Sequence, residues 1–251
     1  MKRSRTATVA IIAVLGALVV TNAHAGEECS EATLQGPYGF QVNGISPAGG
    51  LFAVVGLTTF DGLGRWHSDN TSSVDGVTSR SSAEGTYAVS SDCTGYMVND
   101  SEPLIQYIVI VDGGNEVRSL ARMKVAPPNA HWTGLYKKQR VKDCTAATAE
   151  GGWGYSYQGS VLIDESFQPY TMAGRATFDG AGSLVGTQWG VRGDDFTTLP
   201  LYQGAYTVSS DCTLETTSGV YSVLVGDGSE AFVIVRGTVN PGAVTGFAKK
   251  Q

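Results

Sequence analysis

Two histidines, His67 in "RWHSD" and His131 in "NAHW", are the only ones beyond the first 25 residues of this 251-residue chain. A Ser–His–Asp relay or a histidine metal site could therefore be built at most within residues 26–139. No G-x-S-x-G or H-E-x-x-H segment accompanies them. The Asp-Gly segments "FDGLG", "FDGAG", "VDGGN" and "GDGSE" do not follow the spacing of a calcium loop, and read as turns. "DGGNEV" has no following helix to receive a phosphate. No catalytic residue, metal ligand or cofactor is assigned.

Arginines and aromatics offer binding chemistry instead. In "AFVIVRG", Phe232, Ile234 and Arg236 fall on one face at a period of two, and in "EVRSLARM" so do Arg118, Leu120 and Arg122. Arg122 and Arg236 could point inward to a ligand, or close their strands with the charged head in water. Tyr107 and Tyr221 occur at matching places, whereas Trp66, Trp132 and Trp189 lack a counterpart. These seven residues are the candidate ligand-binding set; the paired aromatics serve equally well as packing.

The matching places exist because the chain is written twice. "CSEATLQGPYGF" answers to "CTAATAEGGWGY", "GLTTFDGLG" to "GRATFDGAG", "GTYAVSSDCTG" to "GAYTVSSDCTL", "YIVIVDGGNEV" to "YSVLVGDGSEA", and both copies end on TGxxKKQ. The division is 26–139 for the first copy, 140–143 ("RVKD") for a link, and 144–251 for the second. No stretch after residue 25 carries apolar residues at helical spacing over three turns. Short alternating runs ended by Gly, Asp, Asn or Pro are the all-β pattern. In the first copy strands are expected near 37–43, 51–60, 64–71, 77–82, 84–90, 93–98, 104–111 and 115–123, with a last extended piece at 131–138. About eight strands joined by tight turns hide their edges best by closing into a small antiparallel meander barrel, so two tandem barrels are expected; two β-sandwiches are the alternative.

Four cysteines, two per copy, allow three pairings. If each copy repeats one local geometry, the pairs are Cys29–Cys93 and Cys144–Cys212. Bonding requires an oxidising compartment, and the first 25 residues have the layout of a signal peptide: Lys2, Arg3 and Arg5, an apolar run from Ala10 to Val20, then Ala23-His24-Ala25. A secreted or periplasmic protein of bacterial type is expected. Removing that leader takes away three of 17 basic residues and none of 23 acidic ones, leaving a net charge of −9. Such a surface does not suit nucleic acid, and no later segment is apolar and long enough for a membrane helix.

The runs TFDGxG, GxYxVSSDCT and TGxxKKQ resemble a loose group of uncharacterised secreted bacterial proteins that look like lipocalin-like or allene-oxide-cyclase-like β-barrels. The resemblance implies the barrel and carries over no catalytic residue. The residues point to a non-enzymatic secreted protein that binds a small apolar or aromatic molecule. A cell-envelope structural or interaction protein and a barrel cyclase or isomerase are the alternatives.

Overall fold

Among the described residues sixteen strands follow one another in chain order. In the computed structural model, which describes residues 28–45, 51–74, 76–101, 104–123, 131–163, 166–236 and 242–251, the first eight are β1 (Gln35–Ile45), β2 (Leu51–Asp61), β3 (Arg65–Val74), β4 (Val77–Val89), β5 (Thr94–Asn99), β6 (Leu104–Val111), β7 (Glu116–Met123) and β8 (His131–Lys138). The next eight are β9 (Gly151–Ile163), β10 (Ser166–Phe178), β11 (Ser183–Arg192), β12 (Asp195–Val208), β13 (Thr213–Thr216), β14 (Val220–Val225), β15 (Glu230–Val235) and β16 (Gly242–Lys250). The expected leader lies outside the described residues. Each set is an antiparallel meander closed on itself, β1 pairing with β8 and β9 with β16, so the fold is two closed eight-stranded barrels. Among the described residues no helix is long and apolar enough to cross a membrane.

One boundary differs from expectation. The segments 77–82 and 84–90 form the single strand β4, and 131–138 is the eighth strand rather than an addition. Gly85, inside this strand, is required for space: a Cβ there would meet the Val98 carbonyl oxygen at 1.9 Å and the Trp66 ring at 2.8 Å.

The repeated VSSDCT stretch is a turn that ties each barrel's N-terminus under its floor. Asp92 Oδ1 accepts from Thr94 N and Oγ1 at 3.0 and 2.7 Å, and Asp211 Oδ1 accepts from the same atoms of Thr213 at 3.0 and 2.8 Å. The turn holds its cysteine at φ +65° in one copy and +69° in the other. Disulfides Cys29–Cys93 and Cys144–Cys212 join it to the N-terminal segment, as expected from the repeat. Just beyond, a 3-10 turn crosses the barrel end. The Tyr87 hydroxyl lies 2.9 and 3.0 Å from the carbonyls of Glu31 and Leu34, and Tyr206 donates to the Ala146 carbonyl at 3.0 Å. The FDGxG turns work alike: Asp61 and Asp179 accept from two backbone amides each, which lowers both carboxyl pKa values.

The barrels are docked, not strung. Gly39, Ala53, Val55 and Leu57 on the outer face of β1–β2 meet Tyr221, Val223, Val225, Phe232 and Ile234 on the outer face of β14–β15. That contact is why β14 is buried on both of its faces. Polar bonds ring it: Thr245 Oγ1 donates to Asn43 Oδ1 at 2.5 Å, Ser73 Oγ to the Gly242 carbonyl at 2.7 Å, and Arg80 pairs with Glu215. The link 140–143 is also fastened, Arg140 and Val141 both donating to the Gly226 carbonyl.

Glu230 of the second barrel accepts from Lys137 of the first at 2.6 Å and from Lys249 at 3.0 Å. Burial alone would raise its pKa. The two lysines outweigh that and hold the carboxyl below its usual value. Because the folded pKa is depressed, the contribution is complete above the ordinary glutamate range and is lost as pH falls through that range toward the folded value. Docking is therefore expected to weaken on acidification by about 1.5–3 kcal/mol, the worth of a hydrogen bond to a charged group. Melting curves between pH 7 and pH 3 should show a steeper loss for the parent than for Glu230→Gln.

Candidate functional site

The two lumens differ, and the difference is legible residue by residue. In the first barrel Phe40 stacks on Tyr136 with centroids 5.1 Å apart, Phe52 lies 5.0 Å from Trp132, and Phe60 is wedged between Tyr38 and Tyr87. Trp66, Met97 and Ile108 complete a packed interior. Tyr38 donates to the Gly114 carbonyl at 2.5 Å, and burial pushes its pKa up to about 12. The Gln106 amide sits 2.7 Å from Ser119 Oγ and 2.8 Å from the Tyr136 hydroxyl, so the buried polar groups of β6–β8 satisfy one another.

The shared motifs fix the counterparts. Trp66 of "DGLGRW" corresponds to Leu184 of "DGAGSL", Met97 of "SSDCTGYM" to Thr216 of "SSDCTLET", Ile108 of "YIVIV" to Ser222 of "YSVLV", and Tyr136 of "TGLYKK" to Ala248 of "TGFAKK". Each first-barrel residue is buried core, and each counterpart is smaller. All four counterparts line a cavity of about 310 Å3 in the second barrel. A cavity of this size falls in the range of small-molecule sites.

Its walls are apolar, with Trp153, Phe178, Leu214, Leu224 and Val233 among them, and none of the described residues lining it is Asp, Glu, Lys, Arg or His. The floor is closed by the disulfide end, where Trp153 Nε1 donates to the Ala149 carbonyl at 2.8 Å. The opposite end opens through a region of about 340 Å3 that shares Met172, Gln188, Leu199, Ser218 and Val235 with the cavity and adds Tyr170, Arg192 and Arg236 at the rim. Polar groups converge on one wall. The Tyr155 hydroxyl lies 3.0 Å from Gln188 Oε1 and 3.0 Å from the Tyr202 hydroxyl, and the Tyr155 ring stacks on Tyr157 at 4.9 Å. Burial first, then the neighbouring phenols, pushes Tyr155 and Tyr157 far above the usual range, and burial raises Tyr202. All three are neutral donors at any physiological pH.

The residues singled out from sequence are dispersed. Trp66 and Trp132 fill the first lumen, and Tyr221 lies in the contact between barrels with Arg80 over its ring. Tyr107 and Arg122 sit on the outer, exposed face of the first barrel, and Trp189 on the outside of the second. Arg236 shares the outward face of Phe232 and Ile234; it reaches the rim of the cavity, with Nη2 bonded to Glu215 at 2.9 Å. His67 lies exposed on β3, 3.4 Å from Asp69. Among the described residues no group of three or more His, Cys, Asp or Glu is assembled for a metal. Tyr155, Tyr202 and Gln188, the convergent polar groups, were not singled out. A volume comparison of duplicate positions would have found the cavity, because Val42 and Ala83 of the first copy become Tyr157 and Tyr202 at its wall while four large residues become small.

Fold and cavity together define a tandem-barrel protein with one solid and one hollow barrel. No family model and no curated protein matches the chain. Solved structures that align with it include a protein of unknown function from the DUF3598 family of Nostoc punctiforme, 10% identical over 87% of this chain and 97% of that one, with TM-score 0.26. Kievitone hydratase from Nectria haematococca is 8% identical over 87% and 90%, TM-score 0.29, and a putative AttH from Nitrosomonas europaea 9% identical over 86% and 92%, TM-score 0.26. At these scores the alignments say nothing of activity.

Proposed function

We propose that this is an exported, non-enzymatic protein that holds a small, uncharged, apolar or aromatic molecule in the lumen of its second barrel, the first barrel serving as a solid partner that braces it. The observation that carries the reading is that the 310 Å3 cavity lies where four large core residues of one copy are each replaced by a smaller one in the other. A copy that had merely decayed would leave polar orphans or collapse, whereas this lumen pairs lost bulk with two added tyrosines at the wall. An unpaired charge would lose its hydration inside such walls, which restricts the ligand to neutral molecules. The absence of charge and histidine among the described lining residues, and phenols held neutral, favour binding over a cyclase or isomerase reaction.

The test is refilling. In Thr216→Met/Ser222→Ile the second lumen takes the residues the first already packs. Native mass spectrometry of protein from its own host should show a retained small molecule in the parent and at least a tenfold lower occupancy in the variant, with the melting temperature held or raised. Equal retention by both would refute a lumen site.

A second reading, an envelope or interaction protein, is favoured by one surface. Tyr107, Val109, Val111 and Leu120 on the outer face of β6–β7 correspond to Tyr221, Val223, Val225 and Ile234, which the first barrel covers. Tyr107 is 48% exposed where Tyr221 is 7%. Self-association in sedimentation, abolished by Leu120→Lys, would support that reading.

A further inference from the structure

The polar wall of the cavity restricts the ligand beyond size and charge. A phenol has one proton. If Tyr155 donates to Gln188 Oε1, Tyr202 must donate to Tyr155, leaving the Tyr202 oxygen as acceptor and the Gln188 NH2 as donor. If the Gln188 amide is turned over, its NH2 donates to Tyr155, which then donates to Tyr202, leaving Tyr202 as donor and the Gln188 oxygen as acceptor. Either way the trio ends in one open donor and one open acceptor. Tyr202 and the Gln188 amide each bond the same Tyr155 hydroxyl at 3.0 Å, so both open ends belong to one polar cluster on a single stretch of wall. The stacked rings of Tyr155 and Tyr157 stand beside it, and ring faces prefer a flat partner offset by a few ångströms.

We infer that the ligand is a flat, neutral, apolar molecule bearing a hydroxyl group, and that Tyr202 and Gln188 are the residues that read this hydroxyl. A hydroxyl both donates and accepts, and so completes the chain of bonds whichever way it runs. An ether or ketone oxygen can only accept, and a bare hydrocarbon leaves both ends unanswered in an apolar lumen. The carboxylate of an acid would bring a charge among described lining residues that include no cation, the Arg236 guanidinium at the rim being already paired with Glu215. This inference rests on the lumen being the binding site, and the first barrel supports it by contrast: Val42 and Ala83 stand where Tyr157 and Tyr202 do, and its lumen is full.

Four probes separate the possibilities by calorimetry on the full chain: naphthalene, 2-methoxynaphthalene, 2-naphthol and 2-naphthoate. The expected order places 2-naphthol about five- to tenfold tighter than naphthalene, the worth of one net hydrogen bond. The methoxy compound should bind close to naphthalene, and naphthoate weakest. In Tyr202→Phe/Gln188→Leu the naphthol preference should fall to near unity while naphthalene binds as before, which a misfolded variant would not do. Naphthalene and naphthol binding equally to the parent, or a preference that survives the double variant, overturns the hydroxyl assignment but leaves the cavity reading standing. Failure of all four probes to bind overturns both.

Discussion

Replacing Cys144 and Cys212 by alanine is expected to lower the melting temperature of the second barrel by on the order of 20 °C. The bond closes a loop of 68 residues, and constraining the unfolded chain over that length is worth about 4 kcal/mol in the chain-entropy account. Local consequences add to it. The Cys212 turn and the 3-10 turn at Ala146–Ala149 form the floor of the hollow barrel, and Trp153 and Tyr206 both bond into that floor. The first barrel, joined over 64 residues by Cys29–Cys93, has a packed aromatic core beneath its floor. Cys29→Ala/Cys93→Ala should cost a similar free energy yet leave its barrel with native near-ultraviolet dichroism at 25 °C. Loss of the second bond should broaden the signals of Trp153 and Tyr155 first. Differential scanning calorimetry of both double variants checks this. A shift below about 5 °C for the Cys144 pair would mean that lumen packing, not the covalent tie, holds the second barrel shut.

Much of this architecture is legible in the sequence because duplication acts as an internal control. The turns at Asp61 and Asp179 and the cysteine turns at 93 and 212 use the same side-chain-to-backbone bonds in both copies, so their recurrence marks local chemistry. Closure of the meander and the disulfide pairing follow from the same periodicity. The contact between barrels does not. Phe232, Ile234 and Arg236 share a face, and alternation alone cannot say whether that face looks into a lumen or onto a neighbour. They look outward, toward the first barrel, whereas the matched Arg118, Leu120 and Arg122 look outward into solvent. Identical periodicity therefore leads to opposite burial, decided by docking. The cavity lay hidden for a related reason. Pairs such as Phe40/Tyr155 and Tyr87/Tyr206 show what the copies share, while the site is made of what they do not: Trp66/Leu184, Met97/Thr216, Ile108/Ser222 and Tyr136/Ala248.

Docking also constrains one glycine while its duplicate is free to change. Gly39 lies on β1 against the second barrel, where a Cβ would come within 2.3 Å of Val225 Cγ1 and 2.9 Å of Val223 Cγ1. Both valines are fully buried and β-branched, with little freedom to turn aside. Gly154, the corresponding residue of the second copy, has only the Gln251 side chain near it, at 3.4 Å. Gly39→Ala should cost about 1–3 kcal/mol by overpacking, and Gly39→Val should part the barrels. Gly154→Ala should be neutral or stabilising by up to about 1 kcal/mol, since alanine orders a strand at less entropic cost than glycine. Tryptic cleavage reports the parting directly. Arg140 and Lys142 lie in the link, whose Arg140 and Val141 amides bond the Gly226 carbonyl, and cutting there requires that segment to open. Cleavage should accelerate at least tenfold in Gly39→Val and stay at the parental rate in Gly154→Ala. Adding Val225→Ala to Gly39→Ala should recover part of the loss, a coupling between neighbours that a general strand defect at residue 39 would not show. Equal cleavage rates in the two glycine variants would mean that the barrels are held by the polar ring around Glu230 and Glu215, with the close approach of β1 to β14 incidental.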